Sequence, residues 1–380
     1  MAGRATRVWL LLAFSWALLS HTATALHAGE KEDYFAACDK ADALVKKANY
    51  PAAAREYERA LTLAPHVFGA GTENAYVLNE LARVYQAMGQ NAKAEPLYRR
   101  SLKICEATLG PDHPNVAISL NNLAVLYQAM AQFEKAEPLF QRSLKIQEAK
   151  LGPDHSDVAV SLNNLAMLYE DRAQFEKAEQ FYQRSLKIRE ATLGPDHPDV
   201  AQSLNNLAIL YKGMAQYAKA EPLYQRSLKI REAKLGSDHP DVARTLNNLA
   251  TLYYAIGQNA KAEPLYQRSL KIKEAKLGSD HPDVANSLYN LAILYHDMGQ
   301  NAKAELLYQR SLKIREASLG PDHPDVAASL NNLAKLYQDM AQFEKAEQFY
   351  QRSLKIREAT FGSDHPEVAK SLHNLALKQV

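Results

Sequence analysis

The sequence repeats itself every 42 residues, and that period excludes a fold built around one central core. "LGPDHP", with small changes, begins at Leu109, Leu151, Leu193, Leu235, Leu277 and Leu319, and returns as "FGSDHP" at Phe361. Val67 opens a divergent copy in which "TENAYVLNELA" stands for "HPNVAISLNNLA". Seven repeats therefore occupy 67–360, a divergent capping unit spans 26–66, and 361–380 supplies the opening helix of an eighth repeat. Residues 173–190 and 341–358 are identical, which points to growth by duplication. Repeats of this length with one apolar face each can bury it only against their neighbours, so the period predicts a solenoid.

Two helices can be read in each repeat. In 109–150, Leu120, Leu123, Ala124 and Tyr127 recur at the spacing of one helix face. Pro114 suits the first helical position, with His113 or Asp112 as the cap. That helix ends near "QAMAQ", which is "QAMGQ" at 86–90, with Gly89 where a helix stops. The second helix carries Ala136, Leu139, Phe140, Ser143 and Leu144 on one face, continues to about Ala149 and stops at Leu151-Gly152. Pro96, Pro138, Pro222 and Pro264 fall inside it, where proline removes a hydrogen bond. Other copies have Gln180, Leu306 or Gln348 there, so proline is expected near the first turn, facing outward.

The N-terminus reads differently. Arg4 and Arg7 precede the apolar run Val8–Leu19, and Ala23-Thr24-Ala25 follows as a cleavage pattern, so 1–25 is expected to be a signal peptide. The run is shorter than a membrane span. An exported protein, periplasmic or secreted, with no integral membrane span after cleavage, is the expectation. Removing 1–25 leaves 43 basic and 43 acidic residues, a balance that argues against nucleic acid or an anionic membrane as partner. Cys38 and Cys105 fall on helices of different repeats, and two buried, unbridged thiols are expected.

Catalytic and cofactor chemistry finds no support. No G-x-S-x-G, Walker A or dinucleotide-binding fingerprint occurs. The recurrent Asp-His pair, as at Asp112-His113, offers adjacent residues with the next histidine a repeat away, so it reads as a helix entry rather than a metal site. No cofactor and no metal is expected. The charged "QRSLKIRE" segments read as the solvated face of the second helix.

The pattern of Leu120, Leu123-Ala124, Tyr127, Ala136, Phe140 and Ser143 resembles the tetratricopeptide repeat. The 42-residue form is similar to the repeats of kinesin light chains and their bacterial relatives, over roughly 34–380. Residues 34–67 resemble an ordinary 34-residue repeat, with Tyr50, Ala53, Tyr57, Ala60 and Pro65 in place and Lys40 where a core leucine is usual. The signal peptide and the lack of a long heptad segment depart from kinesin light chains, so only the repeat type carries over. The resemblance implies an all-α fold, a right-handed superhelical solenoid of antiparallel helix pairs whose first helices line a concave groove.

"SLNNLA" then acquires a meaning. The second asparagine recurs as Asn122, Asn164, Asn206, Asn248, Asn290, Asn332 and Asn374. By resemblance these form a ladder that hydrogen-bonds the backbone of an extended peptide; an amide offers both donor and acceptor. The alternative is that they bond neighbouring repeats and serve stacking alone. Positions on the same face vary: Ile118, Val160, Gln202, Arg244; Val125, Met167, Ile209, Thr251, Lys335; Gln128, Glu170, Lys212, Tyr254. Met167 and Ile209 suggest an apolar floor, and Arg244 and Lys335 supply charge further along. The expected function is a non-catalytic adaptor that binds protein or peptide segments. Self-association as a scaffold, or delivery of substrate to a separate enzyme, are the alternatives.

Overall fold

The computed structural model describes residues 28–68, 71–363 and 365–376; the expected signal peptide lies outside them. Seventeen helices and no strand occur among the described residues. The odd-numbered, first helices of the pairs are α1 (Ala28–Lys46), α3 (Thr72–Ala87), α5 (Pro114–Ala129), α7 (Ser156–Asp171), α9 (Pro198–Gly213), α11 (Pro240–Ala255), α13 (Pro282–Asp297), α15 (Pro324–Asp339) and α17 (Pro366–Ala376). The second helices are α2 (Tyr50–Phe68), α4 (Asn91–Leu109), α6 (Phe133–Leu151), α8 (Phe175–Leu193), α10 (Tyr217–Leu235), α12 (Asn259–Leu277), α14 (Asn301–Leu319) and α16 (Phe343–Phe361). The chain forms two compact units, Met1–Ile146 and Gln147–Val380.

Each helix starts and stops for a chemical reason. From α5 onward the histidine of "DHP" or "DHS" is the cap: the backbone N–H of Asn115 donates to His113 Nδ1 at 3.1 Å, and that of Asp241 to His239 Nδ1 at 3.1 Å. A backbone amide can only donate, so Nδ1 must be unprotonated and the ring proton sits on Nε2. This assigns the recurrent histidine to helix entry. Proline follows it at the first helical position in α5, α9, α11, α13 and α15. From α4 onward the second helices are followed by glycine with φ between 82° and 94°, and at Gly110 ψ is 156°, a region closed to residues with a Cβ. Between the helices of a pair the chain passes through left-handed backbone, at Gly89, Gly257 and Gly299 but also at Ala131, Ala173, Ala215 and Ala341.

The prolines differ from expectation in one respect. Pro96 stands five residues after Asn91, in the second turn of α4, so it deletes the amide that would bond the Ala92 carbonyl. Its ring is exposed, as are those of Pro138, Pro222 and Pro264, and water can reach the carbonyl left over.

Packing is by nearest neighbours. In unit 2, Val200, Ala201 and Leu204 of α9 are buried with Ile230 of α10, and Leu186 of α8 closes the other side. The same cluster recurs around α11 and α13. Each fully buried leucine or valine contributes about 1.5–3 kcal/mol. Where the two helices of a pair cross, the serine hydroxyl of the second donates to a carbonyl of the first: Ser143 to Ala117 at 2.8 Å in unit 1, Ser227 to Ala201 at 2.7 Å in unit 2. In unit 1, Ala75, Cys105, Val116, Ala117, Leu120 and Ile146 form one cluster, and Cys105 and Cys38 are buried free thiols, as expected.

Two predictions follow from the turns and caps. Ala173→Gly removes a left-handed alanine, which costs roughly 1–2 kcal/mol, in exchange for a smaller entropy loss, so it should raise stability by about 0.5–1 kcal/mol in urea unfolding. The second concerns pH. Burial holds the imidazoles of His281 and His323 below their ordinary value of 6.5, helped by the cations Lys273 and Arg315 and opposed by Asp283 and Asp325. A depressed histidine is neutral in the fold, so its cap is fully present above about 6.5 and is lost as pH falls from there through the lowered folded value. His281→Asn with His323→Asn should flatten the fall in urea midpoint between about pH 7 and pH 5, because asparagine caps without titrating.

Candidate functional site

The first helices carry the residues that the sequence singled out for ligand contact, Asn122 in unit 1 and the others in unit 2. In unit 2 the paired asparagines take separate roles. The second of each pair donates Nδ2–H to the first of the preceding repeat: Asn206 to Asn163 Oδ1 at 2.7 Å, Asn248 to Asn205 at 3.0 Å, Asn290 to Asn247 at 3.0 Å, Asn374 to Asn331 at 2.9 Å. In one repeat Tyr289 replaces the first asparagine, and Asn332 donates to its hydroxyl oxygen at 2.6 Å. The pairs thus form a ladder from repeat to repeat. The sequence left both this stacking role and ligand contact open.

The ladder differs along its length. Asn164, Asn206 and Asn248 are 2%, 4% and 7% exposed. Asn290 and Asn332 are half-buried, and each spends one N–H on the ladder. In unit 1, Asn122 is half-buried and its amide makes no hydrogen bond among the described residues. Met167 is half-buried, with its sulfur 3.6 Å from Asn163 Nδ2, whereas Ile209 is buried. Arg244 is tied down: it donates to Gln202 Oε1 at 2.6 Å and pairs with Asp241 at 2.8 Å. Lys335 is exposed.

Beneath this face lies a row of buried cations that contradicts the solvated reading of "QRSLKIRE". The guanidinium of Arg231, 1% exposed, donates to Thr245 Oγ1 at 2.6 Å, to the Asp241 carbonyl at 3.0 Å and to Gln202 Oε1 at 2.9 Å. Arg189, Lys273 and Arg315 reach Ser203, Ser287 and Ser329 in the same way, at 2.9, 2.9 and 2.7 Å. Each ties a second helix to the first helix of the next repeat. Burial lowers the pKa of Arg189 and Arg315, with Asp199 and Asp325 opposing the shift. Gln147 holds the same place and accepts from Ser161 at 2.6 Å. The surface that hides these side chains belongs to the following repeat, so helix periodicity within one repeat does not reveal them. A hydroxyl residue always fourteen positions later was the available signal. Other charges of the segment do stay at the surface, such as Arg226, which pairs with Glu190 at 2.8 Å.

Arg231→Gln, copying Gln147, should cost within about 1 kcal/mol, since removing a buried charge offsets the hydrogen bonds lost. Arg231→Ala should cost about 2–3 kcal/mol, because it strips the buried Thr245 hydroxyl of its donor and leaves a cavity, while Gln202 keeps Arg244. Urea unfolding of the two variants checks both.

A family model described as tetratricopeptide repeat matches residues 72–149, 120–191, 157–233, 214–275, 241–317, 283–359 and 325–379. No curated protein matches the chain. Among solved structures, it is 26% identical to BtubC (BKLC) of P. vanneervenii, over 61% of this chain and 91% of that one, with a TM-score of 0.48. It is 29% identical to kinesin light chain-type, nearly identical TPR-like repeats of Podosopora anserina, over 54% of this chain and 98% of that one, with a TM-score of 0.44. A signal transduction ATPase with a tetratricopeptide repeat sensor from Pyrococcus horikoshii shares the fold, at 17% identity, over 88% of this chain and 49% of that one, with a TM-score of 0.55.

Proposed function

Since the chain belongs to the tetratricopeptide repeat family, we propose that it is a non-catalytic adaptor whose first-helix face holds an extended segment of a partner protein. The observation that carries this reading is the unspent hydrogen-bonding capacity on that face. In unit 2, Asn290 and Asn332 are half-buried, and each keeps amide capacity beyond the one N–H it spends on the ladder. A partly covered amide gains most from a partner that offers both N–H and C=O, and a polypeptide backbone does. The basic, apolar and small-residue pattern over 4–25 supports action outside the cytoplasm. Equal numbers of acids and bases after position 25 make a protein partner fit better than a nucleic acid.

Asn290→Ala with Asn332→Ala removes two half-buried ladder bonds, which should cost no more than about 1 kcal/mol in urea unfolding, and should weaken capture of the native partner by at least about tenfold. Asn206→Ala should instead lower stability by about 1–2 kcal/mol, because the ladder bond to Asn163 is buried. Binding that survives the double variant moves the partner off this face.

A second reading has its own support. Leu372 of α17 is 48% exposed, whereas Leu330, at the same place one repeat earlier, is fully covered. A leucine that the architecture normally buries favours association with another molecule. If a second copy covers it, sedimentation should show a dimer that Leu372→Glu converts to monomer.

A further inference from the structure

Each second helix of unit 2 carries four recurrent cations, and three of them have a place in the fold. Lys177, Lys219, Lys261, Lys303 and Lys345 lie over tyrosine rings, 4.9–5.1 Å from the ring centroids. Arg184, Arg226, Arg268, Arg310 and Arg352 each pair with a glutamate of the preceding repeat at 2.5–2.8 Å. Arg189, Arg231, Lys273, Arg315 and Arg357 each reach a hydroxyl on the next first helix. The fourth cation is Lys187, Lys229, Lys271, Lys313 or Lys355. It is exposed in every repeat and has no partner among the described residues.

Nothing within the fold explains why that lysine never changes. Other exposed positions of the same helices drift between copies. One reads Glu176, Ala218, Ala260, Ala302 and Glu344; another reads Gln180, Pro222, Pro264, Leu306 and Gln348. The helix end does not hold the lysine either. Lys187 stands six residues before Leu193, outside the last turn in which a cation gains from the helix dipole. Glu190, three residues after it, is spent on Arg226 at 2.8 Å.

We infer that this lysine row binds a linear acidic polysaccharide that carries one carboxylate per disaccharide. The inference stands apart from the adaptor reading, which concerns the first helices. The same ammonium in every repeat suits a ligand whose own groups repeat, and the surface of a folded protein does not repeat. Charge density then selects the polymer. α8 and α10 both pack on α9, and α10 and α12 both pack on α11. Packed helices approach no closer than about 8–10 Å, so the helices that carry successive lysines stand at least about that far apart. A nucleic acid strand has a phosphate every ~3.4 Å, and most of its charges would go unmatched. A carboxylate on every second sugar is sparser. Lysine also suits a carboxylate on a flexible chain, because its ammonium is a mobile point charge, whereas the fork of arginine demands fixed bidentate geometry. Acids and bases balance over the chain after position 25, so the attraction is local to this face, within a screening length of about 8 Å in physiological salt.

The test uses the full chain, with fluorescently labelled hyaluronate as probe, read by polarisation at low salt. Lys187→Gln, Lys229→Gln, Lys271→Gln, Lys313→Gln and Lys355→Gln together should leave the urea midpoint unchanged, because these side chains have no partner in the fold. The same variant should bind hyaluronate at least about tenfold more weakly. A control of equal net charge carries Lys150→Gln, Lys234→Gln, Lys276→Gln, Lys335→Gln and Lys370→Gln, all exposed elsewhere in unit 2. It should bind within about twofold of the wild type, since charges off the row are screened from the polymer. Unchanged binding by the row variant would overturn the inference. So would an equal loss in the control, which would reduce the effect to net charge. A wild-type chain that binds no hyaluronate, or that binds a single-stranded DNA oligonucleotide more tightly, would overturn it too. None of these outcomes touches the first-helix face, so the adaptor reading stands or falls on its own test.

Discussion

A serine on the second helix of a pair meets a backbone carbonyl on the first, and the spacing of the whole architecture follows from that contact. Ser101, Ser143, Ser185, Ser227, Ser269, Ser311 and Ser353 all donate to an alanine carbonyl at 2.7–2.8 Å. Only a small side chain lets two helices come that close, and only a hydroxyl satisfies itself there without water. The alanines around the crossing are buried for the same reason. Once the pair is fixed, each first helix offers its other side to the preceding second helix, as α9 does to Leu186. Stability then becomes a sum of similar interfaces rather than the property of one core.

Polar side chains supply the specificity of that stacking. The buried cations Arg189, Arg231, Lys273 and Arg315 join one repeat to the next through hydroxyls and carbonyls. The asparagine pairs do the same on the first-helix face. A one-residue slip of one repeat on another would break both sets at once. The proposed function then rests on what the stacking leaves over, half-buried amides on the first helices.

The helix pairs, their boundaries and the two free cysteines were legible because their signals are local: amphipathic spacing, Pro-after-His, Leu-Gly. The cap was narrowed to Asp112 or His113, and the backbone chooses His113, whose Nδ1 faces the Asn115 amide. The prolines were placed outward correctly but one turn too early. The asparagine pair was conspicuous, yet which one donates, and to what, depends on a 43-residue offset that exists only after stacking. Arg231 was unreadable for a related reason. Its own helix gives it a polar-face position, and the next repeat buries it. In a solenoid, the sequence of one repeat predicts that repeat well and the seam poorly.

The central claim is that a partner lies against the first helices. Photo-crosslinking locates it directly: a benzoylphenylalanine placed at Ile293 on α13 is compared with one at Lys313 on α14, in the full chain with the captured native partner bound. Crosslinks from position 293 and none from 313 are predicted. Crosslinks from 313 alone would place the partner on the second helices and contradict the account.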